Sequence, residues 1–313
     1  RYLTDHLTDE AVRLIRHRGE RPFFLHLSHY AVHVPIEAPA DLIEKYRRKA
    51  ARMGLDRVAA LVDGEHFPVL HKKDYRVRRR VVQSDPAYAA MMENLDTNIG
   101  RVLAALDEQG IADNTLVIFT ADNGGLATAE GSPTCNHPFS EGKGWNYEGG
   151  TRVCQIARWP GVVAPATRCT VPVTSTDFYP TFLEACGAPL APEQHCDGVS
   201  LMPLLRGGQR LDREAIFWHY PHYSNQGGTP AASMVAGDWK LIEFFEDGHV
   251  ELYDLANDPS EHHDLAAERG DVANDLHAKL KTWQRDVEAK IPEPNPDYAA
   301  KLKRPSIPNN AFI

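Results

Sequence analysis

The chain has 313 residues, 42% hydrophobic and 25% charged, with a formal net charge of -9. That length suits one large α/β domain, or a domain and a half. The acidic balance argues against a general nucleic-acid binder, and no apolar run reaches membrane-spanning length. The five cysteines are odd in number and scattered, so they make no disulfide framework. Cys186 and Cys196 could bridge a loop, but free buried thiols are the preferred reading.

Residues Asp5 to Arg18 are predicted as a helix with Ala11, Leu14 and Ile15 on its apolar face. Phe23 to Leu27 is expected as a buried strand, followed by an irregular segment from Ser28 to Pro39. Residues 41–84 are charged and weakly patterned, which predicts a surface excursion. It carries Lys72, Lys73, Arg76, Arg78, Arg79 and Arg80. Those six cations are either a solvated insertion or a rim that attracts an anionic polymer. Tyr88 to Leu106 is a strong helix, with Met91, Leu95, Ile99, Val102 and Leu106 at three- and four-residue steps. Asn114 to Gly125 is a core strand running into a glycine turn. Helix then strand, twice over, is the pattern of a mostly parallel sheet flanked by helices. Ligands of such sheets sit at the carboxyl ends of strands.

Gly142 to Gly150 is a glycine-rich loop, and a strand is expected at Val153 to Ala157. Thr176 to Cys186 is expected as a helix, stopped by Gly187 and Pro189. After Gly207-Gly208 the pattern changes to short strands at Ala215–His219, Ala232–Val235, Trp239–Phe245 and Val250–Tyr253, with Asp247-Gly248 as a turn. A last helix, about Asp271 to Ala289, carries Val272, Leu276, Leu280, Trp283 and Val287 on one stripe. The expected division is therefore 1–208 as the larger α/β part. Residues 209–313 form a smaller antiparallel sheet with one helix and a proline-rich tail from Ile291, expected to be extended.

Three places carry candidate chemistry. Asp122-Asn123 puts two hard oxygen donors at a strand end, suited to Ca²⁺ ahead of Mg²⁺; an Asn-Gly turn is the plain alternative. Lys143, between two glycines, could hold a small oxyanion, or be an ordinary exposed loop residue. His33 could contact that anion or protonate a leaving oxygen; His29 competes for the role, and a structural histidine is the alternative.

Taken together the motifs are more specific than any one. In order they are Phe-Phe-Leu-His-Leu-Ser from Phe23, His33-Val-Pro, Thr-Ala-Asp-Asn-Gly-Gly from Thr120, and Gly-Lys-Gly-Trp-Asn-Tyr-Glu-Gly-Gly-Thr-Arg from Gly142. Arg-Trp-Pro-Gly from Arg158 and Thr-Asp-Phe-Tyr-Pro-Thr from Thr176 follow. Asp-Gly-Val-Ser from Asp197 and Leu-Tyr-Asp-Leu-Ala-Asn-Asp-Pro-Ser-Glu from Leu252 complete the series. This series resembles the type I, arylsulfatase A-like sulfatases, a branch of the alkaline-phosphatase-like fold, over nearly the whole chain. The resemblance implies that Asp122 and Asn123 are calcium ligands and that Lys143 and His33 act on the sulfate. It also implies a periplasmic or secreted protein. Cys154 departs from it, standing where the family usually has proline after Arg-Val, and reads as a packing change.

The resemblance further implies an Asp-Asp pair and a Cys-x-Pro-Ser-Arg motif whose cysteine becomes formylglycine, the nucleophile. None of Cys135, Cys154, Cys169, Cys186 and Cys196 has that surrounding sequence. The chain starts at Arg1, without a leader. The expectation is an enzyme truncated at its start, inactive as written. The sulfate end is generic, so selectivity should come from Trp218 to Asn225, where His219 and His222 are candidate binders of a sugar; a buried strand end is the alternative reading. The expected partner is a small-molecule or glycan sulfate ester. A phosphomonoesterase or phosphodiesterase of the same superfamily, and a non-catalytic binder of sulfated glycans, remain the competing functions.

Overall fold

The computed structural model describes residues 2–298. The part of the proline-rich tail beyond 298 lies outside the described residues. Helix α1 (Leu3–Arg16) buries Thr4, Thr8, Ala11, Val12 and Ile15. Leu14, expected on that face, is instead exposed. The buried positions recur at three- and four-residue steps from Thr4, which turns Leu14 to the opposite side. Helix α2 (Ala40–Arg52) and α1 both pack on α3 (Pro86–Glu108). The N-terminus of α3 is well specified. Pro86 opens the helix, and the Asp85 carboxylate accepts from the backbone N–H groups of Ala87 and Tyr88. Beneath it, Val12 and Ile15 meet Ala105, Leu106 and Ala112 in one apolar cluster.

The expected surface excursion over 41–84 holds more structure than its weak pattern suggests. Besides α2 it folds β1 (Leu61–His66) against β2 (Arg76–Arg80) as an antiparallel hairpin. Val77 and Phe67 drop from the hairpin into a cluster with Leu126 and Ala129. Two apolar side chains among many charges are enough to seat it, and a charge-dominated pattern hides them. The basic run is largely neutralised in place. Arg78 faces Asp63 across the ladder at 3.1 Å, Arg76 donates to Gly64 O, and Arg79 pairs with Glu65 and Glu141. A rim of free cations is not what this segment presents.

Strand β3 (Val117–Thr120) pairs antiparallel with β4 (Gln155–Arg158). The strand expected at residues 23–27 forms no ladder among the described residues, and Phe24 is 73% exposed. A strand needs a hydrogen-bonding neighbour, which apolar sequence does not supply by itself. The parallel pairing expected from the helix–strand alternation is likewise not formed among the described residues. One-turn helix α4 (Glu148–Thr151) precedes β4, and α5 (Phe178–Ala185) and α6 (Met202–Leu205) follow it.

The last part is a four-stranded antiparallel sheet, β5 (Ile216–Tyr220), β6 (Ala231–Ala236), β7 (Trp239–Phe244) and β8 (Val250–Asp254), in sequential order. Helix α7 (Gly270–Asp286) covers one face, burying Leu276 and Leu280 against Met234, Leu241 and Leu252. Trp283 stacks flat on Phe217 with ring centroids 4.8 Å apart. The opposite face receives Tyr147 from the glycine loop. All five cysteines are free, and Cys154, Cys169, Cys186 and Cys196 are exposed rather than buried. Among the described residues, no helix is long and apolar enough to cross a membrane.

Candidate active site

Strand β3 delivers Asp122 to Gly125 to the glycine loop, and backbone bonds join the two turns. Gly124 N–H donates to Gly150 O at 2.9 Å, and Lys143 N–H donates to Gly125 O at 3.1 Å. The glycines are there because the chains nearly touch. A Cβ on Gly124 would sit 1.7 Å from Gly149 O, and one on Gly142 would sit 2.4 Å from Gly125 O. Lys143 is thus held by its own backbone, on a turn that no larger residues could build.

His33 meets Lys143 from a loop far away in sequence. Lys143 Nζ lies 2.8 Å from His33 Nε2. His33 Nδ1 lies 2.8 Å from Val34 O. A carbonyl oxygen only accepts, so Nδ1 carries the hydrogen and Nε2 presents a lone pair to the lysine ammonium. The ring is further set by His33 N–H donating to Tyr30 O and by the edge of the Tyr30 ring. The partner of Lys143 is therefore His33. The competing His29 has both ring nitrogens buried without a partner among the described residues, and burial lowers its pKa.

Asp122 is exposed and Asn123 half-buried. Asp122 Oδ1 accepts from Asn123 N–H, and Asn123 Nδ2 donates to Gly124 O. Donation by Nδ2 leaves the amide oxygen available. These are hard oxygen donors, right in kind for calcium. No group of three or more His, Cys, Asp or Glu side chains is assembled for a metal among the described residues. The pair could supply only part of the roughly six to eight oxygens that calcium takes.

Two charged groups brace the loop: Arg79, expected only as one cation of the basic run, and Lys240, which the sequence reading passed over. Arg79 grips Glu141 through Nε at 2.8 and 2.9 Å and Glu65 through both terminal nitrogens, while lying over the Trp145 ring. Burial pushes the Glu141 carboxyl up, and Arg79 opposes that shift. On the other side, fully buried Lys240 of β7 meets Glu148 of the loop and Glu261. Their signal lay in the motifs, since Glu148 and Glu261 each belong to one of the quoted stretches. Nothing local pairs them with Lys240, however, which is 92 residues from Glu148 in the chain.

His219 and His222 are placed differently. His219 Nε2 lies 3.0 Å from Lys290 O, and its ring packs on Phe245. His222 is exposed, edge-on to Tyr220. The loop that carries His222 is seated on the glycine loop. Trp145 Nε1 and Thr128 Oγ1 both donate to Gln226 O, Lys72 Nζ donates to Asn225 O, and Ser224 Oγ occupies the space beside Gly144. Tyr220 and Tyr223 stand exposed on the same stretch.

This chain belongs to the sulfatase family. The family model described as Sulfatase matches residues 1–188, and the one described as N-sulphoglucosamine sulphohydrolase, C-terminal, matches residues 137–286. A Sulfatase of Formosa agariphila is 36% identical over 308 residues, covering 90% of this chain and 50% of that protein. Human Arylsulfatase A is 34% identical over 241 residues, covering 70% of this chain and 46% of that protein. The crystal structure of Ps i-CgsB in complex with k-i-k-neocarrahexaose superposes with a TM-score of 0.72 at 25% identity, covering 97% of this chain and 62% of that one. The likeness bears out the alkaline-phosphatase-like α/β fold class. The chain spans about half the length of these curated relatives.

Proposed function

We propose that the whole protein hydrolyses sulfate esters of a carbohydrate, with the sulfate held by Lys143 and His33 and a calcium ion held in part by Asp122 and Asn123. The contact between Lys143 Nζ and His33 Nε2 at 2.8 Å carries this reading. A cation and an imidazole that share one point, on a turn stitched to a pair of hard oxygen donors, suit a small divalent oxyanion. The ammonium offers charge to the oxygens of the sulfuryl group. His33, whose Nδ1 donates to Val34 O, would meet the ester through Nε2, which carries a lone pair beside the Lys143 ammonium and must first take up a proton there before it can hand one to the leaving oxygen. Calcium, when bound, would draw charge from the sulfate oxygens and orient the ester. A formylglycine nucleophile is proposed to come from outside these 313 residues.

The carbohydrate part rests on the loop beside the glycine turn. Exposed Tyr220, Tyr223 and His222 offer flat apolar faces next to hydrogen-bonding groups, which suits a sugar ring. The oligosaccharide named in the Ps i-CgsB structure supports the same substrate class. Residues 209–313 are proposed as a smaller unit that presents this loop, in a periplasmic or secreted protein.

The test is to assay the full-length protein, produced with a formylglycine-generating partner, on an aryl sulfate, a sulfated oligosaccharide and an aryl phosphate. Each is run with calcium and with a chelator. Calcium-dependent sulfate release that exceeds phosphate release is expected. Faster turnover of the phosphate ester, or turnover unaffected by Lys143→Ala, would overturn the reading.

A further inference from the structure

The charge cluster on the far side of the glycine loop is unusual in its burial and in what it joins. Lys240 is 0% exposed, and its Nζ lies 2.9 Å from Glu148 Oε1 and 2.9 Å from Glu261 Oε1. The contact to Glu148 is a hydrogen bond, whereas that to Glu261 is a close ion pair without hydrogen-bond alignment. Glu261 Oε2 accepts from the backbone N–H of Glu148 at 2.7 Å, and Glu148 Oε2 lies 3.3 Å from Arg152 Nη1. A lysine without water is tenable only with such partners. The cluster therefore ties β7 and the segment after β8 to the first residue of α4.

The placement of Glu261 adds a second observation. Its backbone is left-handed, with φ of 54°, a region that a β-carbon disfavours. The same holds for Glu141, at φ of 59°, which Arg79 clamps at the other end of the loop. Strained glutamates thus hold the loop from both ends, each through a cation. From the clamped turn the path to the site is short. Gly150, two residues after Glu148, accepts from Gly124, and Gly125 accepts from Lys143.

We propose that Lys240, Glu148 and Glu261 form a positioning cluster that sets the spacing between the Asp122-Asn123 turn and Lys143, so that the C-terminal sheet holds the anion site in register. This rests on the sulfatase reading for its effect on turnover, but not for its effect on the loop. The two motifs that contain Glu148 and Glu261 meet here because both serve the same turn.

The experiment compares the full-length protein with its Glu261→Ala variant, which removes both the acceptor of the Glu148 N–H and the partner of Lys240. Amide hydrogen exchange is followed by mass spectrometry, beside steady-state kinetics on an aryl sulfate. Exchange over residues 142–150 is expected to rise about tenfold or more while β5 to β8 and α7 keep their protection. kcat is expected to fall about ten- to hundredfold with a smaller change in KM, as for a displaced rather than a missing group. Glu148→Gln gives the same measurement should Glu261→Ala fold poorly. Unchanged exchange over 142–150, or protection lost evenly through β5 to β8, overturns the proposal. A wild-type protein without sulfate-ester turnover overturns the sulfatase reading instead, and the exchange result still decides the cluster.

Discussion

Lys143 and His33, 110 residues apart in the chain, meet at 2.8 Å through one ammonium and one imidazole nitrogen. Each is held by contacts other than the pair itself, Lys143 through Gly125 of the turn after β3 and His33 through Tyr30 and Val34 of its own loop. Neither loop relies on the other side chain for its position.

Lys143→Ala in the full-length protein should lower kcat/KM on an aryl sulfate by about 10²–10³-fold, the usual cost of removing a preorganised donor to developing negative charge. His33→Ala should cost a similar amount. The double variant should lose less than the product of the two if, as proposed, the pair acts on one anion. Steady-state kinetics of the three variants decide it, and full additivity would count against a shared site.

Arg79→Ala should destabilise the fold by about 2 kcal/mol, because it leaves the mostly buried Glu141 carboxylate without its cation. Arg79→Lys should recover only part of the loss. One ammonium cannot replace a guanidinium that serves Glu141 through Nε and Glu65 through both terminal nitrogens. Urea unfolding of both variants measures this. A loss below about 0.5 kcal/mol for Arg79→Ala, the range of ordinary surface changes, would contradict it.

The contribution of Glu261 to stability should fall as pH rises from about 4.5 to about 7. Burial pushes Glu261 up to about 7, against the opposing pull of Lys240 and of the Glu148 N–H, and with a further upward push from the Glu148 carboxylate. A carboxyl with a raised pKa binds more protons folded than unfolded across that window, so its contribution is largest below it and is lost as the proton leaves. Arg152, paired with Glu148, is the other charge of the cluster. Melting temperatures of wild type and Glu261→Gln across about pH 4–8 should differ in slope in that window. Parallel curves would show that Glu261 does not titrate there.

His222→Ala should weaken turnover of a sulfated oligosaccharide more than that of a small aryl sulfate. His222 is exposed on the loop beside Gly144, where a leaving sugar would extend. His219→Ala should add a loss of thermal stability, because its ring is occupied with Lys290 O and Phe245. Equal kinetic losses on both substrates would remove His222 from the choice of substrate.

The sequence by itself determined the elements whose signals are local. Strong periodicity placed α3 over Tyr88 to Leu106, short apolar runs between turns placed β5 to β8, and the stripe through Leu276 and Leu280 placed α7. It also offered Asp122, Asn123 and Lys143 as candidates from their glycine turns and His33 from its loop after residues 23–27, all of them short-range patterns. What pairs with what was left to the tertiary structure. Residues 23–27 have a strand's composition but no ladder among the described residues, and β3 meets β4 antiparallel. The hairpin of β1 and β2 hangs on Val77 and Phe67 amid charges that mask them. Lys240 lies in the strand expected at Trp239–Phe245 and is wholly buried, because Glu148 and Glu261 come to it from other segments. A charge is stable out of water only beside its partners, and partners distant in the chain are brought together by packing, which local sequence does not encode.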